Sequence, residues 1–304
     1  MKRLASRWIG LPILAVWLVW PQLLAAETID FKVTYHGMFT AYQEFDIGDV
    51  RLDITQTRSL LDDEPIVRAQ LTASSAAYPL VEQFYPYRYD FTSYHQGSWP
   101  RSLAFERRKQ TSRLRHDLLL LNWEGAALWR FGIDDAEQSE PLSSQLPAAM
   151  FKTLLVAGLP DYGVQLKPRP EGQAPPPEST LDRLALLQQI RALPLLPDTS
   201  EDLTVTDGKE FIHYRVTVIK RELIQAAAGS RSAWKIRVEG FESDHGEERF
   251  RHRPVYIWIS DDQRRLPLRF VIRHAVGTFT VEMQPGSAIQ SVANAISVNE
   301  VKRH

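Results

Sequence analysis

The chain has 304 residues, no cysteine and a nearly balanced charge, 36 Lys and Arg against 37 Asp and Glu. That composition excludes disulfides, Cys-ligated zinc, iron–sulfur clusters and thiol nucleophiles, and it argues against a dedicated nucleic-acid binder, which carries a basic excess. The length is sufficient to bury a core without crosslinks.

In chain order, residues 1–26 read as an export signal. Lys2, Arg3 and Arg7 form a basic start, residues 8–24 are apolar apart from Gln22, and Ala25-Ala26 precede Glu27, which predicts cleavage after Ala26. The alternative is an uncleaved anchor at the short limit for a spanning helix. There is no twin-arginine pair and no cysteine, so the expectation is Sec-type export to the periplasm of a protein that is not a lipoprotein. Losing Lys2, Arg3 and Arg7 takes the formal charge from −1 to −4. No later apolar run is long enough to span a membrane, so no transmembrane span is expected in the mature chain.

Strand patterns follow. Ile29, Phe31, Val33 and Tyr35 alternate with polar residues, His36-Gly37 signals a turn, and 39–47 reads as a second strand. Val50, Leu52 and Ile54 alternate again, and 66–73 is strand-like after a loop at 62–65. Residues 78–84 read as a short helix or bend. Tyr85, Tyr87, Tyr89 and Phe91 then alternate, which predicts a strand with all four on one face. Leu103 and Phe105 lead into a basic hairpin, 106–117, carrying Arg107, Arg108, Lys109, Arg113 and Arg115. Residues 118–123 and 126–131 pair around Glu124-Gly125. Successive hairpins of this kind imply an antiparallel meander.

The middle reads as helical. A helix is predicted over 147–159, a Pro/Gly-rich linker over 168–177, and a second helix capped by Ser179 or Thr180. Leu181, Leu184, Leu187, Ile190 and Leu193 supply its apolar stripe, and Pro194 ends it. Strands return at 203–206 and 211–219 around Asp207-Gly208, then at 221–227, 232–241, 255–259, 266–274 and 278–283. The tail, 285–304, is small and polar and is expected to be flexible. The fold class is therefore mainly β: a curled antiparallel meander or open β-barrel-like sheet with two central helices, after a cleaved signal peptide. The expected division is a signal at 1–26 and one β-rich domain at 27–284. A two-domain alternative splits the latter at the linker into 27–167 and 178–284.

The C-terminal half carries a resemblance. Its bearers are residues 187–194 (Leu-Gln-Gln-Ile-Arg-Ala-Leu-Pro), Asp207-Gly208-Lys209, Arg221-Glu222, Trp234-Lys235, Ile257-Trp258-Ile259-Ser260-Asp261-Asp262, Arg264-Arg265-Leu266-Pro267 and Gly277. They resemble the domain-of-unknown-function 3108 family of exported bacterial proteins. Phe31, Tyr35, Gly37 and residues 85–89 fit the same family more loosely, which extends the resemblance over most of the mature chain. It implies a β-rich periplasmic protein and brings no catalytic residue with it. In outline it is also similar to the curled-sheet lipoprotein carriers of the periplasm, an analogy of fold alone.

Three constellations are candidate sites. In the turn Asp261, Asp262, Pro267, the aspartates suit a type I turn and the proline limits the next strand's bonding. Arg264 and Arg265 leave it on opposite faces, available to Asp261, Asp262 or Glu222 or to an anionic headgroup, with Trp258 as a flat wall. The basic hairpin, through Arg107, Arg108, Lys109 and Arg113, is either a solvated tip or a contact for lipid, lipopolysaccharide, peptidoglycan or an envelope protein. Tyr85, Tyr87, Tyr89 and Phe91, with Tyr94 and Trp99 following, are either core or the lining of an amphiphile or glycan groove. The eight histidines show no zinc spacing, and there is no Gly-x-Ser-x-Gly elbow, phosphate loop or dinucleotide fingerprint. No catalytic, metal or cofactor residue is assigned. The leading expectation is a non-enzymatic periplasmic protein of envelope biogenesis that binds an amphiphile in a curved sheet. An adaptor acting through the basic hairpin or an edge strand is second, and an envelope-polymer hydrolase third.

Overall fold

A computed structural model describes residues 26–97, 101–134, 140–146, 148–159, 163–168, 176–226, 229–244, 247–250 and 253–286. The predicted signal, Trp99, His245, His252, most of the 168–177 linker and nearly all of the tail lie outside the described residues.

The order is β1 (Glu27–Gly37), a 3₁₀ turn (Met38–Thr40), β2 (Glu44–Arg58), β3 (Pro65–Ser74), α1 (Pro79–Phe84), β4 (Arg88–Gln96), β5 (Ser102–Gln110), β6 (Leu114–Asn122), β7 (Ala127–Asp134), β8 (Glu140–Pro141), α2 (Leu142–Gln145), α3 (Ala148–Ala157) and β9 (Gly163–Pro168). Then come α4 (Arg183–Ala192), β10 (Ser200–Thr206), β11 (Phe211–Ala226), β12 (Gly229–Asp244), β13 (Glu247–Phe250), β14 (Val255–Ser260), β15 (Pro267–His274) and β16 (Gly277–Met283). The protein is thus mainly antiparallel β-sheet with a few short helices, rather than the two expected. Besides the two central ones, α1 is the short helix expected at 78–84, and α2 is a single turn too brief to show apolar periodicity.

The strands follow one hydrogen-bonded path, β10-β11-β12-β14-β15-β16-β1-β2-β3-β4-β5-β6-β7-β9-β8, with β13 added beside β12. The path has two free ends, so the sheet does not close into a barrel. Near its middle, β1 joins two meanders, pairing Phe31 with Val50 of β2 and with Met283 of β16. The alternation of Ile29, Phe31, Val33 and Tyr35 predicted from sequence appears as four buried side chains on one face.

That face is the one α4 covers. Leu184 and Leu187 pack with Phe31, Leu52, Ala69, Phe105 and Leu119, while Ala185, Leu186 and Ile190 pack with Val216, Val218, Ile236 and Ile257. One helix therefore packs against strands from both meanders. The opposite face of β5 and β6, with Ala104, Leu118 and Leu120, packs under α3 through Met150 and Leu154.

Two expectations are corrected. The cap of α4 is Asp182, not Ser179 or Thr180: its Oδ1 accepts from the Leu184 and Ala185 amides at 2.8 and 3.0 Å. Ser179 instead takes a positive φ of 61°, and the Thr180 hydroxyl donates to the Pro177 carbonyl, so both belong to the turn before the helix. The strands expected at 211–219 and 221–227 are one strand, β11, whose register shifts between Val218 and Lys220. A bulge absorbs the extra residue that breaks the sequence alternation.

Candidate functional site

Side-chain direction on the sheet follows from register. Leu71 lies opposite Phe91 and Ala73 opposite Tyr89, and these in turn face Arg107 and Lys109. All project to the α4-covered face, because Val50, on the same face as Phe31, lies opposite Ala73. The rings of Tyr87, Tyr89, Phe91 and Phe105 form a ladder with successive centroid separations of 5.3, 5.9 and 6.2 Å. The Lys109 ammonium sits over two of its rungs, 5.8 Å from Tyr89 and 5.3 Å from Phe91.

This lysine is half-buried among cations. Burial, then Arg107 and Arg183, hold its ammonium below the usual lysine pKa; Asp207 opposes them and Arg115 adds to them. Asp117, opposite Arg107 on the neighbouring strand, accepts from Arg107 at 3.0 Å and from Arg130 at 3.4 Å. Asp207, on the β10–β11 turn, lies 3.9 Å from Arg107. That turn packs closely, since a Cβ on Gly208 would stand 3.1 Å from Leu119 and 3.2 Å from Arg130, and its φ of +89° also favours glycine.

The anchor of α4 stands beside the ladder. The fully buried Asp182 takes hydrogen bonds on Oδ2 from Ser93 and Ser102, both at 2.6 Å, in addition to capping the helix. His95 lies 3.5 Å from Ser93, and its burial lowers its pKa against the pull of the Asp182 carboxylate. Ser93 and Ser102 are fully buried donors to Asp182, so this is a positioning cluster rather than a nucleophile and base.

Along α4, from Leu181 to Ala192, lies a cavity of about 750 Å³. Gln56, His95, Gln188, Arg191, Arg264 and Arg265 are among its lining residues. Gln188 Nε2 has no hydrogen-bond partner among the described residues. Arg191 closes one wall, donating to Glu27 at 2.8 Å and to the Arg264 and Arg265 carbonyls at 3.0 and 2.9 Å.

The predicted site residues therefore divide. Tyr89 and Phe91 are on β4, whereas Tyr85 is the exposed residue ending α1 and Tyr87 precedes the strand, its hydroxyl donating to the Ile47 carbonyl. Pro86 and the helix stop the strand short of the four-residue alternation expected for it. Trp258 is buried and lies on the other face of the sheet, beside Tyr256, with Lys235 over both rings at 5.2 and 5.1 Å. Its indole donates to Glu222 at 2.7 Å. Arg107 is not at a solvated hairpin tip but in an ion pair with Asp117, its side chain 16% exposed. Arg108, Arg113 and Arg115 are exposed.

In the turn after β14, Asp262 accepts from the Arg264 and Arg265 amides at 3.0 and 3.2 Å and from Ser260 at 2.8 Å. Asp261 instead pairs with Arg221 and accepts from the Trp234 indole at 2.7 Å. Arg265 has a positive φ of 51° and donates to the Leu193 carbonyl at 2.7 Å. Neither arginine leaves on β15, which begins at Pro267, opposite Ile259. Sequence reasoning missed Asp182, Arg183 and Asp207 as neighbours of the ladder, and only the Asp-x-x spacing before α4 gave any local sign of them. Among the described residues no group of three or more His, Asp or Glu is placed to hold a metal, and no helix is long and apolar enough to cross a membrane.

Residues 161–284 match the family described as a protein of unknown function, DUF3108. The match runs from β9 through β16 and leaves out Phe31, Tyr35, Gly37 and residues 85–89, whose looser resemblance it does not extend to. No curated protein matches the chain. Two solved structures are similar. One is a beta-barrel-like protein of domain of unknown function DUF1849 from Brucella abortus, 8% identical, with 86% of this chain and 97% of that one covered at a TM-score of 0.45. The other is a protein with a YmcC-like fold from Bacteroides fragilis NCTC 9343, 11% identical, with 87% and 95% covered at a TM-score of 0.31.

Proposed function

We propose that this is an exported, non-enzymatic envelope protein that binds an anionic amphiphile on the α4-covered face. The aliphatic part lies along Leu71, Tyr89 and Phe91, and the headgroup meets Lys109 with Arg107 and Arg183. The observation that carries the reading is the Lys109 ammonium, half-buried over two rings and crowded by cations. A headgroup carboxylate or phosphate would relieve that repulsion, and the rings and Leu71 would shield its chain from water. The export signal in residues 1–26 supports the periplasmic address, and one domain over 27–284 is consistent with a helix that packs on both meanders.

Native mass spectrometry of the protein purified without detergent, followed by organic extraction, tests the reading. The expected result is a bound acidic lipid or fatty acid that is lost in Lys109→Met. An empty wild type, or a ligand retained equally by that variant, would refute it.

A further inference from the structure

We infer that one end of the sheet is a docking edge for an anionic lipid bilayer. This edge borders the ligand-binding face, sharing Arg115 with it, but does not depend on a ligand being bound there. Two apolar promontories mark it. In the turn between β1 and β2, Phe39 is 75% and Tyr42 69% exposed; at α1, between β3 and β4, Phe84 is 77% and Tyr85 62% exposed. Register places both at one end of neighbouring strand pairs, since His36 lies opposite Glu44 while Ser74 lies opposite both Asp49 and Arg88.

Neither promontory is a loose loop. The β1–β2 turn is closed by the Tyr42 amide donating to the Gly37 carbonyl at 2.9 Å, and Ala41 and Tyr42 both hold left-handed φ, 48° and 59°. The α1 segment is tied to β2 by the Tyr78 hydroxyl on Asp49 at 2.7 Å and the Tyr87 hydroxyl on the Ile47 carbonyl at 3.1 Å. Ordered structure thus holds large apolar rings in water, which calls for a partner that covers them.

Charge selects the partner. The β5–β6 turn reaches the same end, because Arg88 lies opposite Gln110 and Gln110 opposite Leu114, and it presents the exposed Arg113 and Arg115. Of the acids at this end, Asp46 pairs with Lys32 at 3.2 Å, Glu82 with Arg88 at 2.8 Å and Asp49 accepts from Tyr78, which leaves Glu44 as the exposed carboxylate beside the first promontory. Separate protruding rings flanked by cations match a bilayer surface, which yields around each ring and offers anionic headgroups. A protein partner would need a surface shaped to both promontories.

Because the chain has no cysteine, one substitution places one label. The full chain carrying an environment-sensitive dye at Phe39→Cys or Phe84→Cys is titrated with vesicles of phosphatidylglycerol and phosphatidylcholine. Leu60→Cys, at the β2–β3 turn on the opposite end, is the control. The expected result is a blue shift and at least a twofold rise in emission at 39 and 84, none at 60, and little with phosphatidylcholine alone. Adding Arg113→Gln and Arg115→Gln should raise the half-maximal vesicle concentration about 30-fold, at about 1 kcal/mol for each cation near an anionic surface. No response at 39 and 84, an equal response at 60, or an equal response to phosphatidylcholine would overturn the inference. So would dyes that ignore vesicles but respond to a periplasmic protein fraction, which would assign the edge to a protein partner.

Discussion

Among the described residues a lysine stands over a pair of aromatic rings twice, once in each meander, and the two copies differ in what surrounds them. Lys235 lies over Tyr256 and Trp258, with Glu222 bonded to the Trp258 indole and Arg269 paired with Glu282 at 3.0 Å. Two carboxylates, Glu222 and Glu282, stand among these cations, with Arg269 and Arg273 also over the rings at 6.0 and 5.8 Å. Lys109 lies over Tyr89 and Phe91 with Arg107, Arg115 and Arg183 near it, while Asp117 is shared by two arginines. The same local motif has a carboxylate bonded to its own indole in one place, whereas in the other Asp117 and Asp207 lie against Arg107. We read the first as part of the sheet's construction and the second as a place for an anionic ligand.

The strongest way to break the difference is through the groups that position the Lys109 side. Asp182→Ala removes the α4 cap and leaves the buried Ser93 and Ser102 hydroxyls without their acceptor, which should cost about 3 kcal/mol or more. A lowered urea midpoint with an unchanged slope is the expected readout. Asp117→Ala removes the carboxylate that Arg107 and Arg130 share in a part-buried site and should cost on the order of 3 kcal/mol by the same measurement. Glu222→Gln, in the Lys235 copy, should cost about 1 kcal/mol or less, since Lys220 is exposed and a glutamine oxygen can still accept from the Trp258 indole.

Titration sharpens the comparison, because the two copies raise stability with pH in different ranges, Glu222 in the acid range and Lys109 in the alkaline one. Lys109 has a lowered pKa in the folded protein, so below that value the unfavourable burial of its charge is fully present. Stability should rise with pH from the lowered value up to about 10.5, the ordinary lysine pKa, and Lys109→Met should remove that slope. Glu222 also has a lowered pKa, first through Lys220 and then through the Trp258 indole. Its contribution is present above the ordinary glutamate pKa and is lost as pH falls through the lowered one. Urea midpoints of wild type, Lys109→Met and Glu222→Gln across pH separate the two contributions.

What the sequence revealed follows the range of the interactions. The alternation at Ile29 to Tyr35 and the hairpin around Glu124-Gly125 are set by neighbours in sequence, and both are legible there. The pairing of Phe31 with Met283 joins opposite ends of the chain, and no local pattern encodes it. At β11, Lys220-Arg221-Glu222 interrupts the apolar alternation, and the bulge that preserves the strand is visible only in its partner's register. The turn chemistry of Asp262 was readable from its position before Gln263, whereas the pairing of Asp261 with Arg221 was not. Lys109 looked like one charge of a solvated basic hairpin. Its meaning changed because the register of β4 against β5 sets it opposite Tyr89, and because α4 brings Arg183 to the same face.

Native mass spectrometry of the wild type beside Lys109→Met and Lys235→Met, all purified without detergent, tests the central claim most directly. Methionine keeps an unbranched apolar chain over the rings and removes only the charge. The account predicts a bound acidic amphiphile in the wild type and in Lys235→Met and its loss from Lys109→Met. Equal occupancy in all three proteins, or loss from Lys235→Met alone, would contradict it.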